Sequence, residues 1–230
     1  MSLYDNPQFL EGYRQLRRTG QGINDALEIP AMDAVLAALP IAGARVVDLG
    51  CGEGGLAVRL AAAGAAEVLA VDASEQMLAA AVRHPRVRYE RADVAAFDLP
   101  HGSADLVVSS MALHYVEDFV ALVARVAGWL ASGGAFVFSV EHPMMTAPVV
   151  AADCLVDNYA DEGRRERTWF VAGVVKYHRT IGSIVATLRR HGFRLESLDE
   201  PLPTSDQVAT CPHLAIHRRR PPILLISART

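Results

Sequence analysis

Five residues of strand character, Arg45-Val46-Val47-Asp48-Leu49, run directly into Gly50-Cys51-Gly52-Glu53-Gly54-Gly55, and an Ala-rich helical stretch follows. Glycine has no Cβ, so such a turn can bend sharply and let its backbone approach a ligand. Strand, glycine turn and helix in immediate succession commit this part of the chain to a βα unit. Gly50, Gly52 and Gly55 also satisfy the G-x-G-x-x-G spacing of dinucleotide-binding turns, so the glycines alone leave the ligand open.

The alternation continues beyond the turn. Residues 67–72, 87–90, 104–108 and 135–140 read as further strands. Between them lie a helix ending at Gly64, one begun at Ser74, and one carrying Phe119, Leu122, Val123, Val126 and Leu130 at helical spacing until Ser132-Gly133-Gly134 stops it. Strands apolar on both faces that alternate with helices imply a mostly parallel sheet covered on both sides. The expected fold is doubly wound α/β.

Ahead of the sheet, residues 1–40 predict a helical cap. Asn6-Pro7 opens a first helix with Phe9, Tyr13 and Leu16 on one face, and Pro30 opens a second with Met32, Val35, Leu36 and Leu39 inward. Thr19-Gly20-Gln21-Gly22 separates the two. From 142 to 179 no period persists, and this stretch reads as an insertion that forms a lid. Thr180 then caps a last helix that Gly192 stops, and residues 193–198 and 222–227 predict two closing strands. With no repeat or linker, the 230 residues read as one domain: cap 1–40, ligand-binding half 41–141, lid 142–179 and closing elements 180–230.

Charge and composition exclude several functions. Against 26 acidic residues stand 22 Lys and Arg, a net charge of −4 with pI about 6.1, so no overall positive field gathers nucleic acid or an anionic membrane. The arginines at 164, 165 and 167, and at 218–220, read as solvated surface. No apolar run approaches the ~20 residues that span a bilayer, and no signal-peptide core opens the chain. Cys51, Cys154 and Cys211 are odd in number and far apart, which argues for a reducing compartment and a cytoplasmic protein. No His, Cys or carboxylate cluster has metal-ligand spacing, so no metal is expected.

Three aspartates refine the ligand. Asp72 closes the second strand, where a carboxylate can accept bonds from both hydroxyls of a ribose. Asp48, just before the glycines, would sit badly beside a pyrophosphate and well beside an amino group or sulfonium. Asp93 follows the third strand, where it can accept from an adenine amino group while Ala92 and Val94 flank the ring. All three stand at the carboxyl ends of strands, the edge where open α/β sheets bind ligands.

With these residues in place the chain resembles the class I S-adenosylmethionine-dependent methyltransferases. Asp48-x-Gly50-x-Gly52-x-Gly54 is similar to that family's first motif, Val71-Asp72 to its second and Ala92-Asp93 to its third. The run from Ala104 to Tyr115 resembles the fourth, and that from Leu130 to Phe136 the loop before the fifth strand. The resemblance implies a seven-stranded sheet with an antiparallel last strand, and it is greatest to the small-molecule branch around quinone-biosynthesis methyltransferases. It implies S-adenosylmethionine as cofactor and S-adenosylhomocysteine as product. The cofactor-binding set it implies is Asp48, Gly50, Gly52, Gly54, Asp72, Ala73, Met77, Ala92, Asp93, Val94, Ser109 and Tyr13.

Motif residues that are missing narrow the acceptor. Ser109-Ser110-Met111-Ala112 stands where nucleic-acid N-methyltransferases carry Asn/Asp-Pro-Pro-Tyr, and there is no Pro-Cys nucleophile. Cys51 reads as a small filler of the turn. Methyl transfer from a sulfonium is a direct displacement that depends on orientation, and a hydroxyl, phenol or carbon acceptor also needs a base. His114, His142 and His178 are the candidate bases, at most one of them acting. Tyr4, Tyr115, Tyr159, Trp169 and Tyr177 are candidates to contact a flat acceptor. The expectation is methyl transfer to a small cyclic acceptor, with a homodimer left open. A non-catalytic S-adenosylmethionine-binding module, a peptide or protein methyltransferase and, less favoured, a nicotinamide-dependent oxidoreductase are the alternatives.

Overall fold

Val46, Val68, Leu106, Val108 and Val137 pack on one side of the central sheet, and Val47, Leu49, Val107, Phe136 and Phe138 on the other. Successive residues of one strand point to opposite faces, so a strand covered on both sides must be apolar throughout. The structure is a computed structural model that describes residues 2–20, 22–148 and 157–230. The expectations placed on Gln21, on Cys154 and on the rest of 149–156 lie outside them.

The strands are β1 (Arg45–Leu49), β2 (Glu67–Asp72), β3 (Val87–Arg91), β4 (Ala104–Ser109), β5 (Leu130–Glu141), β6 (Gly163–Trp169), β7 (Val171–His178), β8 (Arg194–Asp199) and β9 (Ile223–Arg229). Seven of them form one sheet in the order β3-β2-β1-β4-β5-β9-β8. The first five are parallel, and β9 runs antiparallel to both β5 and β8, pairing Val137 with Ser227 and Leu198 with Ile226. This is the doubly wound α/β fold with the antiparallel last strand.

The helices are α1 (Pro7–Arg18), α2 (Ile29–Ala37), α3 (Gly55–Ala62), α4 (Glu75–Ala79), α5 (Phe119–Trp129), α6 (Pro143–Thr146), α7 (Ile181–Arg190) and α8 (Ser205–Thr210). Leu122, Val126, Ile184 and Leu188 bring α5 and α7 onto one face of the sheet, while Met32, Leu36, Leu56 and Leu60 bring α2 and α3 onto the other. Asn6 caps α1, Ser74 caps α4 and Thr180 caps α7, each side-chain oxygen accepting a first-turn N–H.

Several elements depart from the sequence expectation: β5 opens at Leu130, a residue expected on the preceding helix, and α8 has no counterpart among the expected elements. The second cap helix does not begin at Pro30: a π-helical turn, Asn24–Glu28, leads into α2 and Pro30 sits within its first turn. The stretch 142–179, expected to lack regular structure, contains the antiparallel hairpin β6–β7. Its turn residue Phe170 has a φ of 58° and stacks on Trp169 with centroids 4.9 Å apart. The helical cap and the hairpin meet there. A Cβ on Gly12 of α1 would lie 2.5 Å from the Phe170 ring, so glycine is what allows the approach, and Phe9 packs edge-on against Trp169 at 5.2 Å.

Candidate cofactor and acceptor site

The glycine turn is bound to the end of β2. Gly50 and Cys51 both donate to the Val71 carbonyl, at 2.8 and 3.0 Å, and Gly52 donates to Asp72 Oδ2 at 2.8 Å. Gly50, Gly52 and Gly54 take φ of 74°, 55° and 82°. A Cβ on Gly50 would strike Ala112 and one on Gly54 the Tyr89 hydroxyl, whereas nothing lies within 4 Å of the Cβ position on Gly52. The Gly52 backbone therefore faces open space, a cradle that a side chain would fill.

Asp72 is locked in place. Its Oδ1 accepts from Ser74 N at 2.8 Å while Oδ2 holds Gly52. Burial raises its pKa, opposed by these two N–H donors. Ala73 is half-buried beside it, and Met77 is buried in α4 with its N–H on the Ser74 hydroxyl. At the third strand Asp93 is exposed and accepts from Ala95 N at 2.9 Å. The Val94 side chain turns into the hydrophobic core and Ala92 packs against that core, so Val94 does not flank the site with its side chain as expected. Ser109 is likewise committed, its hydroxyl donating to the Leu49 carbonyl at 2.7 Å and joining the ends of β4 and β1.

Asp48 is 1% exposed and its Oδ2 has no hydrogen-bond partner. Burial first, and then the negative charge of Asp72, push its pKa up to about 7, against the pull of Arg59. Burial also raises the Cys51 thiol, so the thiolate needed for a nucleophile is disfavoured.

One functional candidate escapes the sequence. Glu28, at the end of the π-helical turn, is 1% exposed, and its Oε1 accepts from Ser110 Oγ at 2.8 Å and Ser139 Oγ at 2.6 Å. The available signal was an acid within the otherwise apolar Ala26-Leu27-Glu28-Ile29. Ser139 Oγ also accepts from Met111 N at 3.0 Å, and Met111 has a φ of 52°. Glu28 thus ties the cap to the carboxyl ends of β4 and β5.

Three of the five aromatic candidates, Tyr4, Tyr115 and Trp169, come together, and Tyr13 joins them. Tyr4 lies edge-on to Tyr13 at 5.1 Å and to Tyr115 at 6.4 Å, and Tyr13 to Trp169 at 6.4 Å. Burial raises the Tyr4 and Tyr115 hydroxyls well above the usual value, so both stay protonated. Lys176 of β7 enters the same cluster, its Nζ 5.0 Å from the Trp169 ring centre and 5.8 Å from that of Tyr115, and pairs with Glu141 at 2.5 Å. Sequence reasoning missed Lys176 because it stands in a stretch with no apolar period. The structure does not bring Tyr159 and Tyr177 into this cluster. Tyr159 accepts from Ile181 N and packs on His178, while Tyr177 donates to Glu117 and lines a small cavity with Arg179 and Phe119.

The three histidines are more constrained than the sequence implied. His114 Nδ1 accepts from Glu141 N at 3.3 Å, which leaves the proton on Nε2, and burial holds its pKa down near 4. His142 accepts from Met144 N on Nδ1 and meets Glu200 at 2.7 Å through Nε2. His178 Nε2 donates to the Tyr159 carbonyl at 2.9 Å, and its Nδ1 accepts from the Thr146 hydroxyl at 2.8 Å. Burial lowers the pKa of both His142 and His178. None of the three presents a free ring lone pair, which counts against each as a base. Among the described residues no three His, Cys, Asp or Glu side chains are grouped to hold a metal ion, and no helix is long and apolar enough to cross a membrane.

Comparison with known proteins finds relatives of this chain. Residues 46–134 match the methyltransferase domain family. The chain is similar to an S-adenosylmethionine-dependent methyltransferase of Mesorhizobium loti, with 43% identity, a TM-score of 0.83, and coverage of 91% of this chain and 100% of that one. It is also similar to a Listeria monocytogenes protein described as a putative S-adenosylmethionine-dependent methyltransferase, with 33% identity, a TM-score of 0.81, and coverage of 94% and 99%. A trans-aconitate 2-methyltransferase of Delftia acidovorans is 32% identical over 73% of this chain and 77% of its own length.

Proposed function

Because the chain belongs to the S-adenosylmethionine-dependent methyltransferases, we propose that it methylates a small, cyclic organic acceptor held under the helical cap and the β6–β7 hairpin. The observation that carries this reading is the clustering of Tyr4, Tyr13, Tyr115 and Trp169 on elements that also contact one another through Gly12 and Phe170. An aromatic cluster between the cap and the hairpin suits a compact flat acceptor better than a peptide strand, which needs an open groove.

The residues present fit the cofactor. The Gly52 cradle and the unpartnered oxygen of Asp48 are the features a ligand with a positive end would complete. S-adenosylmethionine, when bound, supplies a methyl group made electrophilic by its positively charged sulfur. Asp72 would hold the ribose hydroxyls and Asp48 the amino end. Ala73, Met77, Ala92 and the exposed Asp93 would border the base, and Tyr13 would close over the site. The aromatic walls would exclude water and fix the acceptor's angle of approach, and orientation supplies much of the rate in a displacement.

Where the acceptor must lose a proton, Glu141 is a further candidate beside the three histidines, although burial is outweighed by His114 and Lys176, which hold its carboxyl below the usual value. It is paired with Lys176 and close enough to Tyr115 and His114 to perturb both. The Nε2–H of His114 would then orient the acceptor as a donor. A second reading, a carboxylic acid acceptor, is favoured by Lys176 within the aromatic cluster and by the substrate that the Delftia relative's name states.

Methyl-labelled S-adenosylmethionine, incubated with the protein and with phenols, amines, quinone precursors and carboxylic acids in parallel with peptides and RNA, tests the proposal. Label in a cyclic small molecule is the expected result, and label in a carboxylic acid supports the second reading. Label in peptide or RNA alone would overturn both.

A further inference from the structure

Asp72, Asp48 and Ser110 stand at the carboxyl ends of β2, β1 and β4, which are adjacent in the sheet. Adjacent strands are ~4.8 Å apart, so a ligand anchored by its ribose at Asp72 and stretched across Asp48 reaches the end of β4 after about 10 Å. Glu28 is bonded there, to Ser110 and Ser139. Asp48 and Glu28 are both 1% exposed, the charge of Glu28 bears on Asp48, and the buried Asp48 Oδ2 has no partner. The cations in range of Glu28 are Arg59 and Arg17, and each already faces an aspartate, Asp33 at 3.0 Å and Asp25 at 3.2 Å. Among the described residues neither buried acid therefore has a cation in salt-bridge contact, Arg59 acting on both only from a distance. Both serine hydroxyls converge on Oε1 of Glu28, so Oε2 takes no part in that bridge. A glutamine could make the bridge equally well. What glutamine could not supply is charge, and burying charge is unfavourable unless it is matched.

We propose that Glu28 is a cofactor-binding residue that, together with Asp48, receives the ammonium group on the amino-acid arm of S-adenosylmethionine. The inference rests on the cofactor reading above and extends it to a residue outside the glycine motif, carried on the cap. Docking of the cap and recognition of the amino-acid arm then depend on the same side chain.

Calorimetry on the full chain with three probes separates this role from a structural one. S-adenosylmethionine and S-adenosylhomocysteine carry the amino-acid arm, whereas 5′-methylthioadenosine keeps the adenosine and the sulfur without it. Glu28→Gln is expected to weaken the first two by about tenfold or more, the range of a lost charged hydrogen bond, and to leave methylthioadenosine within about twofold. Glu28→Asp, which keeps the charge, is expected to retain a preference for the ligands that carry the arm. Equal weakening of all three probes by Glu28→Gln would mean that Glu28 only holds the cap, and no weakening would mean it plays no part; either result overturns the proposal. So would a Glu28→Asp protein that has lost the preference. If the wild type binds none of the three, the cofactor reading fails and the proposal falls with it.

Discussion

The Asp5 carboxylate accepts a 2.6 Å hydrogen bond from the hydroxyl of Ser74, the residue whose backbone N–H holds Asp72. The amino-terminal segment is thereby fastened two residues from the proposed ribose ligand, and Gln76 N adds a second bond to the same oxygen.

Breaking that fastening is expected to loosen the cap without touching the ribose ligand. Burial would raise the Asp5 pKa, but the bonds from Ser74, Gln76 and Ser2 outweigh it and hold it below the usual value. A depressed carboxylate contributes above its unfolded pKa and loses the contribution as pH falls through the folded one. Asp5→Ala should therefore speed S-adenosylmethionine dissociation several-fold at pH 7, measured by stopped flow, and the difference from wild type should shrink in acid. An unchanged rate at pH 7 would mean the segment does not gate the site.

Asp72→Ala is expected to weaken S-adenosylmethionine by about tenfold to a hundredfold, the range of charged hydrogen bonds lost to a ligand. It should also lower Tm, because Gly52 N and Ser74 N lose their acceptor. Calorimetry with a thermal melt checks both. Lower Tm with unchanged affinity would reduce Asp72 to a brace for the turn.

Asp48 gives a pH dependence of definite sign. Burial, then Asp72, lifts its pKa from 3.8 to about 7; Glu28 adds to the rise, and Arg59 and the Ala57 N–H oppose it. Between those values the folded protein keeps a proton that the unfolded chain has released. The associated stability is present below pH 3.8 and is lost as pH rises towards 7. Asp48→Asn has no such proton to lose, so its Tm advantage in ligand-free protein should grow from pH 5 to pH 8. A constant difference across that range would contradict the raised pKa.

The histidines should divide by their bonds. His142→Ala removes the cap of α6 and the partner of Glu200, and is expected to cost roughly 1–2 kcal/mol of stability while leaving S-adenosylmethionine affinity near wild type. His178→Ala should behave alike through Thr146 and Tyr159. A turnover lost in either variant with Tm intact would restore that histidine as a base.

The central strands were legible because both faces are covered: Val46 and Val47, one residue apart, lie in opposite cores, which leaves an unbroken apolar run. The β6–β7 hairpin was not. Its buried positions include Arg165 and Lys176, satisfied by the Ala147 carbonyl and by Glu141, so burial there is polar and no apolar alternation marks the strands. Asp48 and Asp72 could be found from their place before and after the glycine turn. Glu28 could not, since the serines that position it are 82 and 111 residues away in sequence. The histidines were legible as residues and illegible as bases, because whether a ring nitrogen is free depends on partners such as Glu200 and Tyr159 that no spacing reveals.

Calorimetric titration of the purified protein with S-adenosylmethionine, S-adenosylhomocysteine and NADH, side by side, bears most directly on the site built around Asp48, Gly52 and Asp72. Binding of both adenosyl ligands and none of NADH is the predicted result. Binding of NADH alone would mean that Asp48 does not face a cation, and would contradict methyl transfer as the chemistry of this site.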